Sequence, residues 1–250
     1  MRHTAAWVAA AWLTMGSIAG AAEAVDRVSR TVPLAAGTLI RVDATIANLT
    51  ITESNRPDVR IDVERRAPAS ADLLKFPVAI DTGAGILHLS VVQRDDGRDP
   101  ALKSTISITA PLGAGVSAVR VFEGRVRVAN VRSSCDVDLR RGAIEGVELA
   151  GRVRLEVGIG SLEVRDSELT AGGMMRLRVF NGPLRVQFDR PPESARILAL
   201  TLNGTITSDI PLTMKNRIGP RFGESTLGAG DPVLSMDVVK GDIQVTVARR

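Results

Sequence analysis

The side chains that most often carry nucleophilic and acid–base catalysis are scarce in this chain of 250 residues. It contains two histidines, His3 and His88, and one cysteine, Cys135. His88 alternates with Leu87 and Leu89, so we expect it on the outer face of a strand. A Ser-His-Asp triad needs a histidine held between a nucleophile and a carboxylate, and the sequence marks no such partners. His88 is therefore interpreted as a surface histidine.

Cys135 could act as a nucleophile or as a pairing thiol. A single cysteine cannot form an internal disulfide, and a reactive thiolate needs a supporting base or cation. Asp136 and Asp138 are nearer in sequence than Arg132 and Arg140 are. The sequence therefore predicts a partly buried strand residue, with dimerisation through the thiol as the alternative.

Carboxylates could bind a cation or cleave a glycosidic bond. The densest acidic cluster, Asp95-Asp96-Gly97-Arg98-Asp99, lacks the ligand spacing of an EF-hand and has an arginine in its middle. We interpret it as a solvated hairpin tip and predict no metal or other cofactor. A glycan-processing enzyme with paired carboxylates is the alternative. Its candidate residues are Asp136, Asp138, Glu145, Glu148, Glu156 and Glu163.

The segment 214–231, MKNRIGPRFGESTLGAGD, combines glycines with Lys215, Arg217 and Arg221. No helix follows its Gly-x-Gly, so a phosphate-cradling loop is not predicted. Long loops on rigid β-scaffolds often carry recognition. Lys215, Arg217 and Arg221 are therefore the candidate partner-binding residues.

Residues 1–24 have the features of a secretory signal peptide. Arg2 and His3 precede an apolar stretch from Ala5 to Ile18, and Ala22-Glu23-Ala24 forms an A-x-A cleavage site. The apolar stretch is too short to cross about 30 Å of hydrocarbon. We expect an exported protein, periplasmic or at the cell surface, that starts at Val25 and has no stable membrane span after cleavage.

Cleavage changes the aromatic content but not the charge. It removes Arg2 and Glu23, so the net charge stays at +4, and it removes both tryptophans, Trp7 and Trp12. Sugars and single-stranded nucleic acids are usually recognised by stacking on Trp or Tyr. The sequence therefore disfavours nucleic acid and favours an anionic partner that is attracted electrostatically.

The mature protein should absorb almost no light at 280 nm, because the sequence contains no tyrosine and both tryptophans lie in the signal peptide. An absorption spectrum of purified mature protein checks this. A strong 280 nm band would mean that the peptide is retained.

After residue 24, apolar and polar residues alternate with period two, which predicts strands. From residue 116 the strands repeat around six glycines that are 18, 18, 22, 22 and 37 residues apart. Apolar or small residues recur five and three positions before each glycine and two positions after it. A period near 20 is typical of stacked repeats that share one core. We therefore expect successive units to stack in chain order, with segment 214–231 as an excursion before the last one. The six glycines are Gly124, Gly142, Gly160, Gly182, Gly204 and Gly241.

The predicted fold is an all-β solenoid, a parallel β-helix-like stack of strand–Gly–strand units, in one domain over 25–250. Residues 25–115 form its N-terminal strands and 116–250 its repeat units. If the Asn-Gly pairs were hairpin turns, the fold would instead be an antiparallel β-sandwich. In the stack, Arg120 would face Asp138 and Glu156 would face Arg178, which adjusts register more than stability.

Four stretches resemble the bacterial putative-adhesin family of β-strand-repeat proteins. They are Ile106–Val128, Leu177–Val186, Leu198–Thr207 and Leu234–Val245, spread over about the last 145 residues. Phe122-Glu123-Gly124 and Arg140-Arg141-Gly142 depart from the usual Asn-Gly. The resemblance implies an exported β-solenoid-like domain without an established catalytic site.

We therefore expect a non-enzymatic structural or adhesin-like protein of the cell envelope that binds an anionic envelope polymer or a protein partner. Self-association through an open sheet edge is a second route. A glycan-processing enzyme and a periplasmic sensor of envelope stress are the alternatives.

Overall fold

The computed structural model describes residues 23–34, 37–93, 101–215 and 219–248. Within them the protein is all-β, with one large, open, mixed sheet and a single helical turn, α1 (Ser70–Leu73). The strands are β1 (Ala24–Pro33), β2 (Leu39–Ser54), β3 (Asp58–Ala67), β4 (Val78–Gly83), β5 (Ile86–Val91), β6 (Lys103–Pro111), β7 (Gly115–Ala129), β8 (Ser134–Val147), β9 (Arg152–Arg165), β10 (Met174–Asn181), β11 (Leu184–Phe188), β12 (Ala195–Asn203), β13 (Ile206–Ser208), β14 (Thr213–Lys215), β15 (Arg221–Leu227), β16 (Val233–Lys240) and β17 (Ile243–Val247).

The predicted repeat units pair in parallel and in register. Gly124 of β7 lies opposite Gly142 of β8, which lies opposite Gly160 of β9. The strands on either side of Gly182, β10 and β11, both pair in parallel with β9. The Asn-Gly pair at 181–182 is therefore a corner between two strands that share neighbours, and the hairpin alternative does not describe it.

The repeated glycines divide the sheet into two rows of strands. The segments before each corner pair in the order β4, β5, β2, β7, β8, β9, β10, β16, β12, β15, β14, which we call the first row. Those after it pair in the order β1, β3, β6, β2, β7, β8, β9, β11, β17, β13, the second row. Alternate side chains from both rows form one continuous core, as the period-two pattern predicts.

We call each strand–Gly–strand unit a coil and its glycine position a corner. The corners need glycine because neighbouring coils approach closely there. A Cβ built on Gly142 would lie 1.7 Å from the carbonyl oxygen of Gly124, and the other five corner glycines meet a backbone oxygen at 1.7–2.0 Å. Gly142 also has a φ of 131°, which residues with a side chain rarely adopt. One unbroken column of corners therefore runs through the stack.

The stack begins earlier than the sequence pattern indicates. Residues Ala44, Ala47 and Leu49 of β2 lie opposite Val121, Gly124 and Val126 of β7, so β2 is a coil of the same kind. The corner of this coil is Ala47. An alanine is tolerated there because β5 pairs with β2 before residue 45 and β6 pairs with it after residue 47, so neither strand lies against the corner itself. The missing glycine is why the pattern did not reveal this coil.

The last coil is not at the end of the stack. The sequence predicts successive stacking, with segment 214–231 as an excursion before a final unit. Instead, β16 and β17 lie between the Gly182 coil and the Gly204 coil, paired in parallel with both. The excursion is also partly regular, because β15 pairs antiparallel with the free edge of β12. The prediction failed because each parallel edge offers the same ladder of hydrogen bonds, so local sequence does not fix coil order.

The segment 69–76 forms α1 and the turn after it. Phe76 and Leu102 are fully buried in a small second core beside β3. Among the described residues, no helix has the length and apolarity that crossing a bilayer requires.

Candidate functional site

Two of the predicted partner-binding residues, Lys215 and Arg221, lie in β14 and β15, the last two strands of the first row. Lys215 ends β14, with its Nζ 3.0 Å from Glu224 Oε1 and 5.7 Å from the ring centre of Phe222. Arg221 begins β15 opposite Thr201 and is exposed. Arg217 lies outside the described residues, as does the acidic cluster 95–99. The carboxylate of Glu224 offsets the charge of Lys215, which weakens it as an anion-binding residue.

His88 lies on the outer face, between the buried residues Leu87 and Leu89. Its Nε2 is 2.8 Å from Oδ2 of Asp43, and Arg41 Nε is 3.1 Å from the same oxygen. The imidazole therefore belongs to a surface ion-pair cluster.

Cys135 is 1% exposed and lies opposite Val153 in the core. Burial raises the pKa of its thiol to about 12, and the charges of Asp136 and Glu53 act in the same direction. The thiol is thus neither accessible nor ionised, and dimerisation through it is not supported.

We expect Cys135 to resist iodoacetamide in the native protein and to react fully once the chain is unfolded in urea, because thiolate and access are both required. Mass spectrometry before and after denaturation measures this. Because the chain has one cysteine, the adduct needs no site mapping. Rapid labelling of native protein would contradict the buried position.

The charged columns have the predicted register. Arg120 lies opposite Asp138 and Glu156 opposite Arg178, with the like-charge junction between Asp138 and Glu156. Among the described residues, however, the ion pairs are not those of Arg120 with Asp138 or of Glu156 with Arg178. Arg154 contacts Asp136 at 3.1 Å and Glu156 at 2.9 Å, and Glu145 is held by Arg127 and Arg165. These arginines keep the pKa of Glu145 below its usual value. Most of the candidate catalytic carboxylates are therefore ion-paired.

An open groove of about 600 Å³ lies where each coil leaves the second row. Glu148 and Asp166 occupy equivalent left-handed positions in neighbouring coils, with φ of 53° and 52°. Arg132 Nη1 is 3.5 Å from Glu168 Oε2 at the rim. Unlike the ion-paired carboxylates Asp136, Glu145 and Glu156, Glu148 lies beside open space.

One buried carboxylate was not found from the sequence. Glu53 is 3% exposed at the end of β2 and accepts hydrogen bonds from the backbone N–H groups of Gly113 and Arg132, at 3.4 Å each. Desolvation is the dominant influence and raises its pKa above the usual value, although these hydrogen bonds oppose it. Glu53 follows Leu49 and Ile51 in the inward phase of β2, so the alternation carried a signal of burial, but its charged side chain made an exposed position the expectation.

The raised pKa of Glu53 makes stability depend on pH in a defined direction. The folded state holds the proton more tightly than the unfolded chain, whose value is 4.5, so stability is lost as pH rises. We expect the free energy of unfolding of the Glu53→Gln variant, relative to that of the wild type, to be larger at about pH 7 than at about pH 4. Urea titrations at both pH values measure the difference. A gain in the opposite direction would show that the hydrogen bonds outweigh desolvation.

The exposed edge beside the corner glycines is the most distinctive surface. In five adjacent coils the two positions before the corner are both at least partly exposed, which breaks the alternation; one of them, Gly158, has no side chain. Ile159, Phe180 and Leu202 are 51%, 43% and 43% exposed there. We call this edge the corner ridge; in order along the stack it comprises Arg140, Arg141, Gly158, Ile159, Phe180, Asn181, Val239, Lys240, Leu202 and Asn203.

The corner ridge combines apolar side chains with cations that have no ion-pair partner in the described parts of the chain. Arg140, Arg141 and Lys240 make no contact with a described carboxylate within 4 Å, and Arg178 covers the ring of Phe180 at 4.7 Å. No Asp or Glu occurs at these two positions in the five coils. The sequence pattern contained this signal, as large apolar residues two positions before Gly182, Gly204 and Gly241, but only the structure places them side by side.

Comparison with solved structures supports the fold. The chain is similar to a putative cell adhesion protein from Clostridium sporogenes, with a TM-score of 0.50 and 9% identity over 91% of this chain and 99% of that one. It also matches a putative adhesin from Bacteroides fragilis, with a TM-score of 0.28 and 11% identity over 89% of this chain and 97% of that one. No family model and no curated protein matches the sequence. The resemblance to putative adhesins is thus confirmed at the level of fold.

Proposed function

We propose that this chain is a non-enzymatic, adhesin-like protein that is exported to the bacterial cell envelope and binds an anionic envelope component. The corner ridge carries the proposal, because exposed apolar side chains among unpaired cations are typical of a surface that meets a partner. The fold shared with a putative cell adhesion protein and the predicted signal peptide support it.

We interpret the scaffold as a solenoid-like stack rather than a sandwich. The parallel register of the coils and the column of corner glycines support this interpretation. Such a stack fixes side chains at intervals of about 4.8 Å along its edge. The binding face is therefore preorganised, so little conformational entropy is lost when a partner binds.

A glycan-processing enzyme is the second candidate, and the groove at Glu148 and Asp166 is the place for its catalysis. Carboxylates of neighbouring coils beside open space could form the pair that glycoside hydrolysis needs. Release of reducing sugar from envelope polysaccharide, lost in the Glu148→Gln variant, would favour this candidate over the adhesin-like role.

Co-sedimentation of the mature chain with separated envelope fractions tests the proposed function. We expect one fraction to capture the protein at low salt and to release it at high salt, because exposed charges are screened beyond about 10 Å at 0.1 M. Bovine serum albumin serves as the control for non-specific sedimentation. Absence of capture by every fraction at low salt would contradict the proposal.

A further inference from the structure

We propose that the corner ridge docks on an anionic lipid bilayer, with Ile159, Phe180 and Leu202 entering the headgroup region. This inference rests on the proposed function and names the partner of the same surface. Membrane-surface binding depends on apolar side chains that reach the acyl boundary and on cations that meet anionic headgroups. The ridge presents both on one edge.

The geometry of the ridge suits a planar partner. Its five coils are stacked at strand spacing, so it extends about 19 Å in a line. Because it lies where each coil passes from the first row to the second, its exposed apolar side chains stand at an edge between the two rows. Such a line of side chains can enter a bilayer surface without burial of the sheet itself.

The charge distribution favours an anionic surface over a neutral one. Arg140 and Arg141 lie at one end of the ridge, and Lys240 lies opposite Asn181 and Asn203, which follow Phe180 and Leu202 directly in the neighbouring coils. Cations at this depth can reach lipid phosphates while their methylene stems stay among the acyl chains.

Most of the carboxylates near the ridge lie behind it, whereas the exposed Glu123 of the adjacent Gly124 coil lies opposite Arg141 at the end of the ridge. Asp138, Glu156 and Asp237 occupy the outward column two residues farther from the corner, and Glu156 is paired with Arg154. Asp242, on the other side, accepts two hydrogen bonds of 2.7 Å from Thr205. These groups limit penetration to the ridge and keep the two rows in water.

Vesicle co-sedimentation of the mature chain tests the charge requirement. We expect binding to phosphatidylcholine vesicles that contain about one third phosphatidylglycerol and none to pure phosphatidylcholine. The triple variant Arg140→Gln, Arg141→Gln, Lys240→Gln should bind about a hundredfold more weakly, at roughly fivefold per cation.

A matched variant distinguishes the loss of cations from the ridge from a general loss of positive charge. Arg30→Gln, Arg152→Gln, Arg196→Gln removes the same three charges from exposed arginines. Arg152 and Arg196 lie six residues from the ridge along their strands, or about 20 Å, beyond the screening length. We expect near wild-type binding from it. Equal weakening by both triple variants would overturn the assignment to the ridge.

The mature chain has no tryptophan, which makes insertion directly measurable. Emission of the Phe180→Trp variant should shift to the blue with anionic vesicles, whereas that of Leu74→Trp, at a 77% exposed site just after α1 and away from the ridge, should not. An unshifted emission from the Phe180→Trp variant would overturn the insertion. Inhibition by millimolar-scale inorganic phosphate that exceeds the inhibition by chloride at matched ionic strength would indicate a soluble-anion site and also overturn it.

Failure of this inference and failure of the proposed function are distinguishable. Capture by an envelope fraction that survives extraction of its lipid, together with no binding to anionic vesicles, would reject the bilayer and retain an adhesin-like role. Absence of both would reject both.

Discussion

Replacing Gly142 by alanine should lower the free energy of unfolding by about 4 kcal/mol, a large effect for one methyl group. The added Cβ would lie 1.7 Å from the carbonyl oxygen of Gly124, and the backbone already has a φ of 131°. Because that oxygen belongs to the neighbouring coil, the clash is relieved only if two coils separate. Urea unfolding followed by circular dichroism measures the loss.

Two other glycines serve as matched controls. Gly85 has a φ of 74° but no atom within 4 Å of its added Cβ, so Gly85→Ala isolates backbone strain and should cost about 1–2 kcal/mol. Gly83 has neither feature, and Gly83→Ala should stay within about 0.5 kcal/mol. If Gly142→Ala cost no more than Gly85→Ala, the close approach of the corners would be wrong.

Removing residues 233–250 should prevent the C-terminal coils from folding, although it deletes only the end of the chain. The deletion takes Leu234, Met236, Val238, Ile243 and Val245 out of the core, each at most 2% exposed. Five such side chains contribute about 1.5–3 kcal/mol each, which is comparable to the whole stability of a domain. It also leaves β10 and β12 with facing, unpaired edges. Thermal unfolding and limited proteolysis of the truncated chain measure the effect.

The matched control removes a strand from an edge. Deletion of residues 25–33 eliminates most of β1, which among the described strands pairs only with β3 and contains no fully buried residue. We expect this variant to keep a cooperative transition. A synthetic peptide of residues 233–250 should bind the truncated chain and restore protection from protease in segment 174–208. Equal stability of the two deletion variants would contradict the central position of β16.

Much of the fold could be predicted because its determinants are local. The inward phase of Val121, Leu139, Val157 and Val179 follows from period-two alternation, and all four are at most 3% exposed. Gly142 indicated a corner because glycine recurred at a fixed phase. Ala47 was missed because an alanine at the end of the column needs no special backbone freedom.

The candidate site was predictable only in part. Lys215 and Arg221 were chosen for their loop, yet Arg221 belongs to a strand and Lys215 is paired with Glu224. Phe180 and Leu202 were visible as apolar residues before corner glycines, but they are 22 residues apart in sequence. They share an edge only because of the order in which the coils are stacked, and no local sequence pattern predicts that order.

The amino-acid pattern was enough to predict the strand phase and the six glycine corners, and it favoured parallel stacking over hairpins, because these features follow from side-chain alternation and from the space that a glycine leaves. Only the tertiary structure decided that the Gly241 coil lies between the Gly182 and Gly204 coils. The spacing from Gly160 to Gly182 equals that from Gly182 to Gly204, yet only the first pair is adjacent. Parallel strand edges are nearly equivalent in hydrogen bonding, so their order is set by long-range competition for the shared core.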